Sequence, residues 1–174
     1  MTDIIPHLVV GGSTSDGELC AMQMVSWTLD PSNKTMWPKC SDPTLTLLVQ
    51  HLNDYYCHIS HVSIDPNKNY HADICPSCAQ KILKLAFRTI GTRHPDDNRP
   101  HNFTSELAQC VDLHASEKAV ELGLKDFVYP TIVAPTEAEA EMFYQVVEAI
   151  INDKIAALGD LYQETEAPAE LLSV

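Results

Sequence analysis

Apolar residues recur three or four positions apart in five stretches of the chain, and this periodicity is typical of amphipathic helices. The predicted helices cover about residues 18–29, 42–58, 76–90, 104–122 and 136–158. The sequence therefore predicts a mainly α fold, a compact bundle of about five helices. Short extended segments are expected near the N-terminus, over 4–10, and before the last helix, over 126–134, where Pro130 interrupts a β-prone run.

Residues that favour helix termini support several of these boundaries. Asp42 precedes a proline, which places a capping oxygen directly before a first helical residue with a suitable φ angle. Thr136 and Glu139 match a capping box at the start of the last helix. Glycines stand where three helices should end: Gly91, Gly123 and Gly159. We expect residues 1–159 to form one helical domain and residues 160–174 an acidic tail.

The third and last predicted helices have well-defined faces. In the third helix the residues expected to face the core are Ile82, Leu83, Ala86, Phe87 and Ile90. In the last helix they are Phe143, Val147, Ile150, Ile151, Ile155 and Leu158. The opposite face of the third helix carries a basic group formed by Lys81, Lys84 and Arg88.

The formal net charge of −13 argues against binding to a nucleic acid backbone. Nine acidic residues and one basic residue follow Pro135, so the last part of the chain is the most acidic. This acidic region could fold over the basic face, or each could contact a partner. We expect a protein partner, with binding residues Lys81, Lys84, Arg88, Glu137, Glu139 and Glu141.

Features of membrane and secreted proteins are missing from the sequence. No apolar run approaches the roughly 20 residues that span a bilayer. The first residues lack the basic region and long apolar core of a signal peptide. We therefore expect a cytoplasmic protein with no membrane partner, in which the six cysteines are thiols or metal ligands and not disulfides.

The segment from Cys57 to Cys78 is rich in potential metal ligands, which are Cys57, His58, His61, His71, Cys75 and Cys78. Two of the thiols form a Cys-x-x-Cys motif at a helix start, where the helix dipole favours thiolates. If the second helix extends to His61, Cys57 and His61 lie one turn apart. The set Cys57, His61, Cys75 and Cys78 then predicts a structural zinc site, with His58 or His71 as a possible replacement. A redox-active motif and cysteines without a ligand role are the alternatives.

Cys20 is a candidate nucleophile because it follows a glycine-rich loop and opens the first predicted helix. Cysteine hydrolases place their nucleophile in this setting, where the helix N-terminus stabilises the thiolate. A histidine base and an orienting Asn or Asp would also be needed, and no local pattern identifies them. The simpler interpretation is that Cys20 is a small core residue.

Five short pieces of the sequence occur in an order and spacing that match one protein family. They are Gly11-Gly12-Ser13, Cys20-Ala21-Met22, Trp37-Pro38-Lys39-Cys40, Leu52-Asn53-Asp54 and Arg88-Thr89-Ile90-Gly91-Thr92-Arg93. In these residues the segment 8–93, about half of the chain, resembles an uncharacterised family of small proteins from actinobacteria and their bacteriophages. The resemblance implies a bacterial or phage cytoplasmic protein and supplies no activity.

The chain also departs from that family. The family usually has Glu where Gln23 stands and Asp-His where Met36 and Trp37 stand, so a role of those polar residues in relatives is not expected here. The motif formed by Cys75 and Cys78 is extra relative to the family. A zinc site would therefore be particular to this branch.

Three functions remain open from the sequence. The favoured one is a small acidic protein that binds another protein without catalysis, in a phage setting a host-interaction or regulatory factor. The alternative is a cysteine-dependent hydrolase or transferase that uses Cys20. The third is a zinc-stabilised protein that binds nucleic acid through the basic run from Lys81 to Arg99, which the net charge disfavours.

Overall fold

The computed structural model describes residues 7–10, 18–32, 37–56, 63–64, 72–100, 102–130 and 136–159. Its helices are α1 (Ala21–Leu29), α2 (Pro43–Tyr55), α3 (Pro76–Arg88), α4 (Ser105–Glu121) and α5 (Glu137–Leu158). Its strands are β1 (His7–Val10), β2 (Glu18–Leu19), β3 (Ser63–Ile64) and β4 (Ala72–Asp73). The prediction of a mainly α bundle is confirmed, and the predicted tail 160–174 lies outside the described residues.

Helix α2 occupies the centre of the bundle, because it contacts each of the other four helices and β1. The sequence predicts a single apolar face for this helix, formed by Leu45, Leu48, Val49, Leu52 and Tyr56. In the structure Thr46 and Leu47, which lie off that face, are also buried. Residues 43–49 are all buried, so the first two turns have neighbours on every side and the periodicity underestimates their burial, whereas the last turns of α2 keep a half-buried side.

The strands form one small sheet in the order β2-β1-β4-β3. Strand β1 pairs in parallel with β2, with His7 opposite Glu18, and antiparallel with β4, with Val9 opposite Asp73. Strand β4 also pairs antiparallel with β3. The sequence predicts the extended segment at β1, whereas the two-residue strands β3 and β4 are too short to leave a period-two pattern.

The first helix begins later than the sequence predicts. It was expected from about Glu18, but Glu18 and Leu19 form β2, and α1 starts at Ala21. A tertiary contact explains the difference, because the Asn53 side chain in α2 accepts a hydrogen bond from the Ala21 backbone N–H at 3.0 Å. That contact satisfies one of the unpaired N–H groups of a helix start, and a local capping box between Cys20 and Gln23 supports the same start.

The other helix starts agree with the sequence. Asp42 caps α2 by accepting hydrogen bonds from the backbone N–H groups of Thr44 and Leu45, at 2.8 and 3.3 Å. Thr136 and Glu139 form the predicted capping box of α5. The predicted terminal glycines have positive φ angles of 76°, 72° and 59°, and they are Gly91, Gly123 and Gly159.

Two predicted helix features are wrong at the C-terminal ends. Helix α2 was expected to reach Cys57 or His58, but it ends at Tyr55. In α5 the buried stripe ends at Ile151, because Ile155 is 38 % exposed and Leu158 is only half-buried. The last two turns of α5 therefore extend past most of the core.

The segment before the last helix has no strand within residues 126–130, and 131–135 lie outside the described residues. Instead its aromatic side chains pack against α5, with the ring centroids of Phe127 and Tyr129 at 6.4 and 5.5 Å from that of Phe143. Within the described part of this segment, Phe127 and Tyr129 thus contribute to the core through side-chain packing, whereas Val128 is exposed.

Candidate functional site

The predicted zinc site lies partly outside the described residues, which omit Cys57, His58, His61 and His71. Cys75 is the N-cap of α3 and is half-buried, and its Sγ lies 3.2 Å from Ser77 Oγ. Cys78 is buried in the first turn. Among the residues that the structure describes, no group of three or more Cys, His, Asp or Glu side chains could hold a metal ion. The zinc site therefore stays a prediction. The predicted alignment of Cys57 with His61 required α2 to continue to His61, but α2 ends at Tyr55.

Cys20 lies at the start of α1, as predicted, but its surroundings do not favour a thiolate. The side chain is 1 % exposed, and burial raises the pKa of its thiol to about 11. Hydrogen bonds from backbone N–H groups act in the opposite direction and are outweighed. A nucleophilic cysteine needs a pKa below its ordinary value, so this geometry supports the interpretation of Cys20 as a core residue.

Lys81, from the predicted basic face, contacts the acidic helix α5 within the same chain. Its ammonium group donates hydrogen bonds to the hydroxyl of Tyr56 at 2.7 Å and to the carboxylate of Glu141 at 3.4 Å. The ammonium also lies 5.5 and 5.6 Å from the ring centroids of Tyr56 and Tyr144, within the range of cation–π attraction. The hydrogen bond to Tyr56 is the main cause that raises the pKa of Lys81.

These side chains border an open cleft with a volume of about 530 Å³, lined by Tyr56, Lys81, Glu137, Ala138 and Glu141. The cleft combines one ammonium with two carboxylates, so its charges partly compensate each other. Glu141 accepts hydrogen bonds from both Lys81 and Tyr56. The lining side chains offer hydrogen bonds to a polar group but no thiol or imidazole for covalent chemistry.

The remaining predicted binding residues divide into paired and exposed groups. Arg88 donates a hydrogen bond to Asn152 of α5 and lies 4.0 Å from the Glu148 carboxylate. Glu139 belongs to the capping box, where the Thr136 backbone N–H lowers the pKa of its carboxyl. Lys84 and Glu137 are exposed. The sequence left open whether the acidic region folds over the basic face or each contacts a partner. The structure shows the acidic helix α5 packed beside the basic face of α3.

A polar cluster that the sequence does not reveal surrounds the start of α2. The buried carboxylate of Asp42 is 2.8 Å from the Arg99 guanidinium and 2.9 Å from the Lys154 ammonium. Arg99 also pairs with Asp97 at 2.7 Å and donates to Thr44 Oγ1 at 2.8 Å. Burial alone would raise the pKa of Asp42, but the hydrogen bond from Lys154 and the charge of Arg99 hold it below its ordinary value. The cluster joins α2, the loop 92–100 and α5.

A second missed group joins α2 to the segment that follows α4. His51 Nδ1 forms a short hydrogen bond with the hydroxyl of Tyr129, and their ring centroids are 5.8 Å apart. Burial lowers the pKa of His51, while the charge of Asp54 acts against that change. Burial also raises the pKa of Tyr129. A neutral imidazole and a neutral phenol form a structural pair at neutral pH.

A third missed feature is the side chain of Asn53, which the sequence did not identify as a site residue. It is fully buried and joins three elements. Its Oδ1 accepts from the Ala21 N–H, and its Nδ2 donates to the Val9 carbonyl of β1 at 2.8 Å. Its position four residues after Val49, along the apolar face of α2, is the signal that could have identified it.

Helix α4 has apolar residues on two opposite faces. One face is buried and consists of Leu107, Val111, Ala115 and Ala119. The other, which we call the α4 outer face, is exposed and consists of Glu106, Cys110, Leu113, Glu117 and Val120. On it Leu113 and Val120 are 62 % and 79 % exposed, and Phe103, which precedes the helix, is 60 % exposed. Single exposed apolar residues are common, but an aligned row is typical of an interaction surface.

Within the described residues, none of the helices is long and apolar enough to cross a membrane. Comparison with protein families, curated proteins and solved structures gave no match to this chain. The fold and the geometry of the described residues are therefore the basis of the functional argument.

Proposed function

We propose that this protein acts by binding another protein and has no catalytic step of its own. The observation that carries the proposal is the α4 outer face. Its apolar residues Leu113 and Val120 are exposed although the bundle buries the opposite face of the same helix. Removing such side chains from water on association stabilises a complex by about 25 cal/mol for each Å² of apolar surface.

The spacing of the residues makes this face a continuous surface. Residues 106, 110, 113, 117 and 120 are separated alternately by four and three positions, so they lie along one side of the helix. At 1.5 Å per residue the row is about 21 Å long. That length corresponds to about four helical turns, which suits a partner that contacts several apolar residues at once.

The other surfaces expected to bind a partner are less suited to that role. Lys81 and Arg88 are engaged with α5, and Glu139 and Glu141 already accept hydrogen bonds within the chain. A partner would have to compete with these contacts. Within the described part of the chain, Leu113 and Val120 of the α4 outer face are exposed, so a partner could cover them without breaking such contacts, which favours this face over the charged residues that the sequence suggested.

The catalytic alternative lacks support in the surroundings of Cys20. A buried thiol with a raised pKa is protonated at neutral pH and reacts slowly as a nucleophile. The acidic net charge also disfavours a nucleic acid partner. The resemblance of residues 8–93 to proteins of actinobacteria and their phages supplies no activity, but it suggests a bacterial cytoplasm as the setting, so the proposed partner is a bacterial protein.

An affinity experiment tests the proposal. The tagged full chain is incubated with a lysate of the cells in which it occurs, and bound proteins are recovered and quantified. We expect the wild type to form a complex of defined stoichiometry that the double variant Leu113→Glu/Val120→Glu loses. The matched control is Val128→Glu/Ile155→Glu, which introduces the same charges at exposed apolar positions outside the α4 outer face.

The control variant should retain the complex, and circular dichroism should show the same helix content for all three proteins. Failure of the wild type to retain any partner would refute the proposal. Equal retention by the Leu113→Glu/Val120→Glu variant and the wild type would show that the α4 outer face is not the binding surface.

A further inference from the structure

We propose that the α4 outer face receives a basic amphipathic helix of the partner protein. This inference rests on the proposed function and adds the chemistry of the partner. The surface offers an apolar row with two carboxylates set into it, at Glu106 and Glu117. A helix that carries apolar residues on one face and Lys or Arg beside them is complementary to both features.

The shape of the surface favours a helix over an extended strand. An extended strand adds to the edge of a sheet through backbone hydrogen bonds, but the backbone of α4 is already paired within the helix. A second helix can pack its own apolar row against Leu113 and Val120 at an axis separation of about 8–10 Å. A partner helix of about 15 residues would cover the row.

The charges of α4 indicate that the partner helix should be positively charged. Helix α4 contains four acidic residues and one lysine, and the acids are Glu106, Asp112, Glu117 and Glu121. Its only lysine, Lys118, has a side chain that is 13 % exposed and is paired with Glu121 and with Asp153 of α5, at 2.6 Å from the latter. Among the residues that the structure describes, Glu106 and Glu117 of the α4 outer face have no ion pair with a cation, and a basic partner would supply one.

A second copy of this chain is a poor occupant for the same reason. In an antiparallel helix pair centred on the row at Leu113, the Glu106 carboxylate would face the apolar Val120 of the other copy without a cation, and in a parallel pair each glutamate would lie opposite itself with a like charge. Like charges in such positions are destabilising. Each copy also carries a net charge of −13. The C-terminal segment 160–174 contains four acids and no base, so it is repelled as well.

A binding titration with a synthetic probe tests the inference. The probe is a labelled peptide of about 18 residues with Leu at three- and four-residue spacing and Lys or Arg beside the leucines. A second peptide has the same leucines but Glu at the basic positions. Fluorescence anisotropy with the full chain should show binding of the basic peptide and at least about tenfold weaker binding of the acidic peptide.

Three variants locate the bound peptide. Replacing both apolar residues, in Leu113→Ser/Val120→Ser, should weaken binding about tenfold or more. Removing both charges, in Glu106→Gln/Glu117→Gln, should weaken it about threefold or more at low salt, with a smaller salt dependence. The control Asp30→Asn/Asp96→Asn removes the same charge from exposed positions on other elements and should stay within about twofold of the wild type.

Other results would overturn the inference. These are equal binding of the acidic and basic peptides, no binding of the basic peptide, and an equal effect of the control and Glu106→Gln/Glu117→Gln. Sedimentation that shows a wild-type dimer dissociated by Leu113→Ser/Val120→Ser would assign the face to a second copy. At least tenfold tighter peptide binding after deletion of residues 160–174 would assign it to the C-terminal segment.

The two proposals can fail separately. If the lysate complex depends on Leu113 and Val120 but the basic peptide does not bind, the protein-binding function stands and the partner chemistry is wrong. If the peptide binds as expected but the wild type retains no cellular protein, the surface has the inferred chemistry and the proposed function is wrong.

Discussion

Replacing Asp42 with Asn tests whether the polar cluster at the start of α2 stabilises the fold. The Asp42 side chain is 4 % exposed and pairs with Arg99 and Lys154 through one carboxylate oxygen, while the other oxygen caps the helix. Asn can keep the capping oxygen, but its amide N–H₂ then faces two cations that also donate. The substitution thus removes the ion pairs and spares most of the cap.

The expected loss in free energy of unfolding is about 2–3 kcal/mol. Breaking a buried ion pair costs about 3–5 kcal/mol when a charge stays buried and unpaired. Here the side chains of Arg99 and Lys154 are 43 % and 32 % exposed, so water solvates them in part and the loss should be at or below the lower end of that range. Asp42→Ala removes the cap as well and should cost about 1 kcal/mol more.

The pH dependence gives a second readout. The folded pKa of Asp42 lies below the unfolded value of about 3.9, so its ionised form stabilises the folded protein above that pH. The contribution is lost as the pH falls through the folded pKa. The difference in stability between wild type and Asp42→Asn should therefore be constant near neutral pH and shrink below about pH 4.

Urea unfolding followed by circular dichroism measures both quantities. The control is Asp96→Asn, since the Asp96 side chain is 92 % exposed and should contribute less than about 0.5 kcal/mol. If Asp42→Asn is as stable as this control at neutral pH, the cluster adds no stability. A difference that does not decrease on acidification would show that the ionised carboxylate is not responsible.

Three other predictions concern separate parts of the chain. Asn53→Ala should destabilise the protein by about 2–4 kcal/mol in urea unfolding, because it leaves the buried partners of two hydrogen bonds unpaired; a loss below about 0.5 kcal/mol would contradict this role. Near neutral pH a thiol reagent should label exposed Cys110 quickly and buried Cys20 only on unfolding, and rapid labelling of Cys20 in the folded protein would revive the catalytic alternative. Protein purified without chelator should contain about one zinc per chain, lost in Cys75→Ser/Cys78→Ser and kept in Cys110→Ser; zinc well below one equivalent in the wild type would remove the metal site.

Local chemistry explains why most helix starts were predictable. Asp42 and Thr136 act on N–H groups within three residues, so the sequence contains both partners of each contact. The start of α1 combines a local capping box between Cys20 and Gln23 with a hydrogen bond to Asn53, which is 32 residues from Ala21 in sequence. Local propensity has no access to such a contact, and the predicted start was therefore three residues too early.

The pairing of charged residues at the candidate site also depends on contacts between distant parts of the chain, which the sequence does not specify. The sequence identifies Lys81 and Arg88 as a basic face and the last helix as acidic, but it does not specify whether the two pair. The distances to Glu141 and Glu148 answer that question, because they require α3 and α5 to lie side by side. Helix α4 is a second example. Leu113 and Val120 fit a helical pattern, but only the packing shows which apolar face of the helix is buried.

The central position of α2 has a consequence for synthesis of the protein. Helix α2 is complete once Tyr55 has been added, but its neighbour α5 ends at Leu158, about 100 residues later. At about 5–20 residues per second, the ribosome needs about 5–20 s to make that stretch. During this interval the nascent chain holds leucines that have no complete core to enter. Chaperones that bind apolar segments would have their main opportunity then, before the last helix leaves the ribosome.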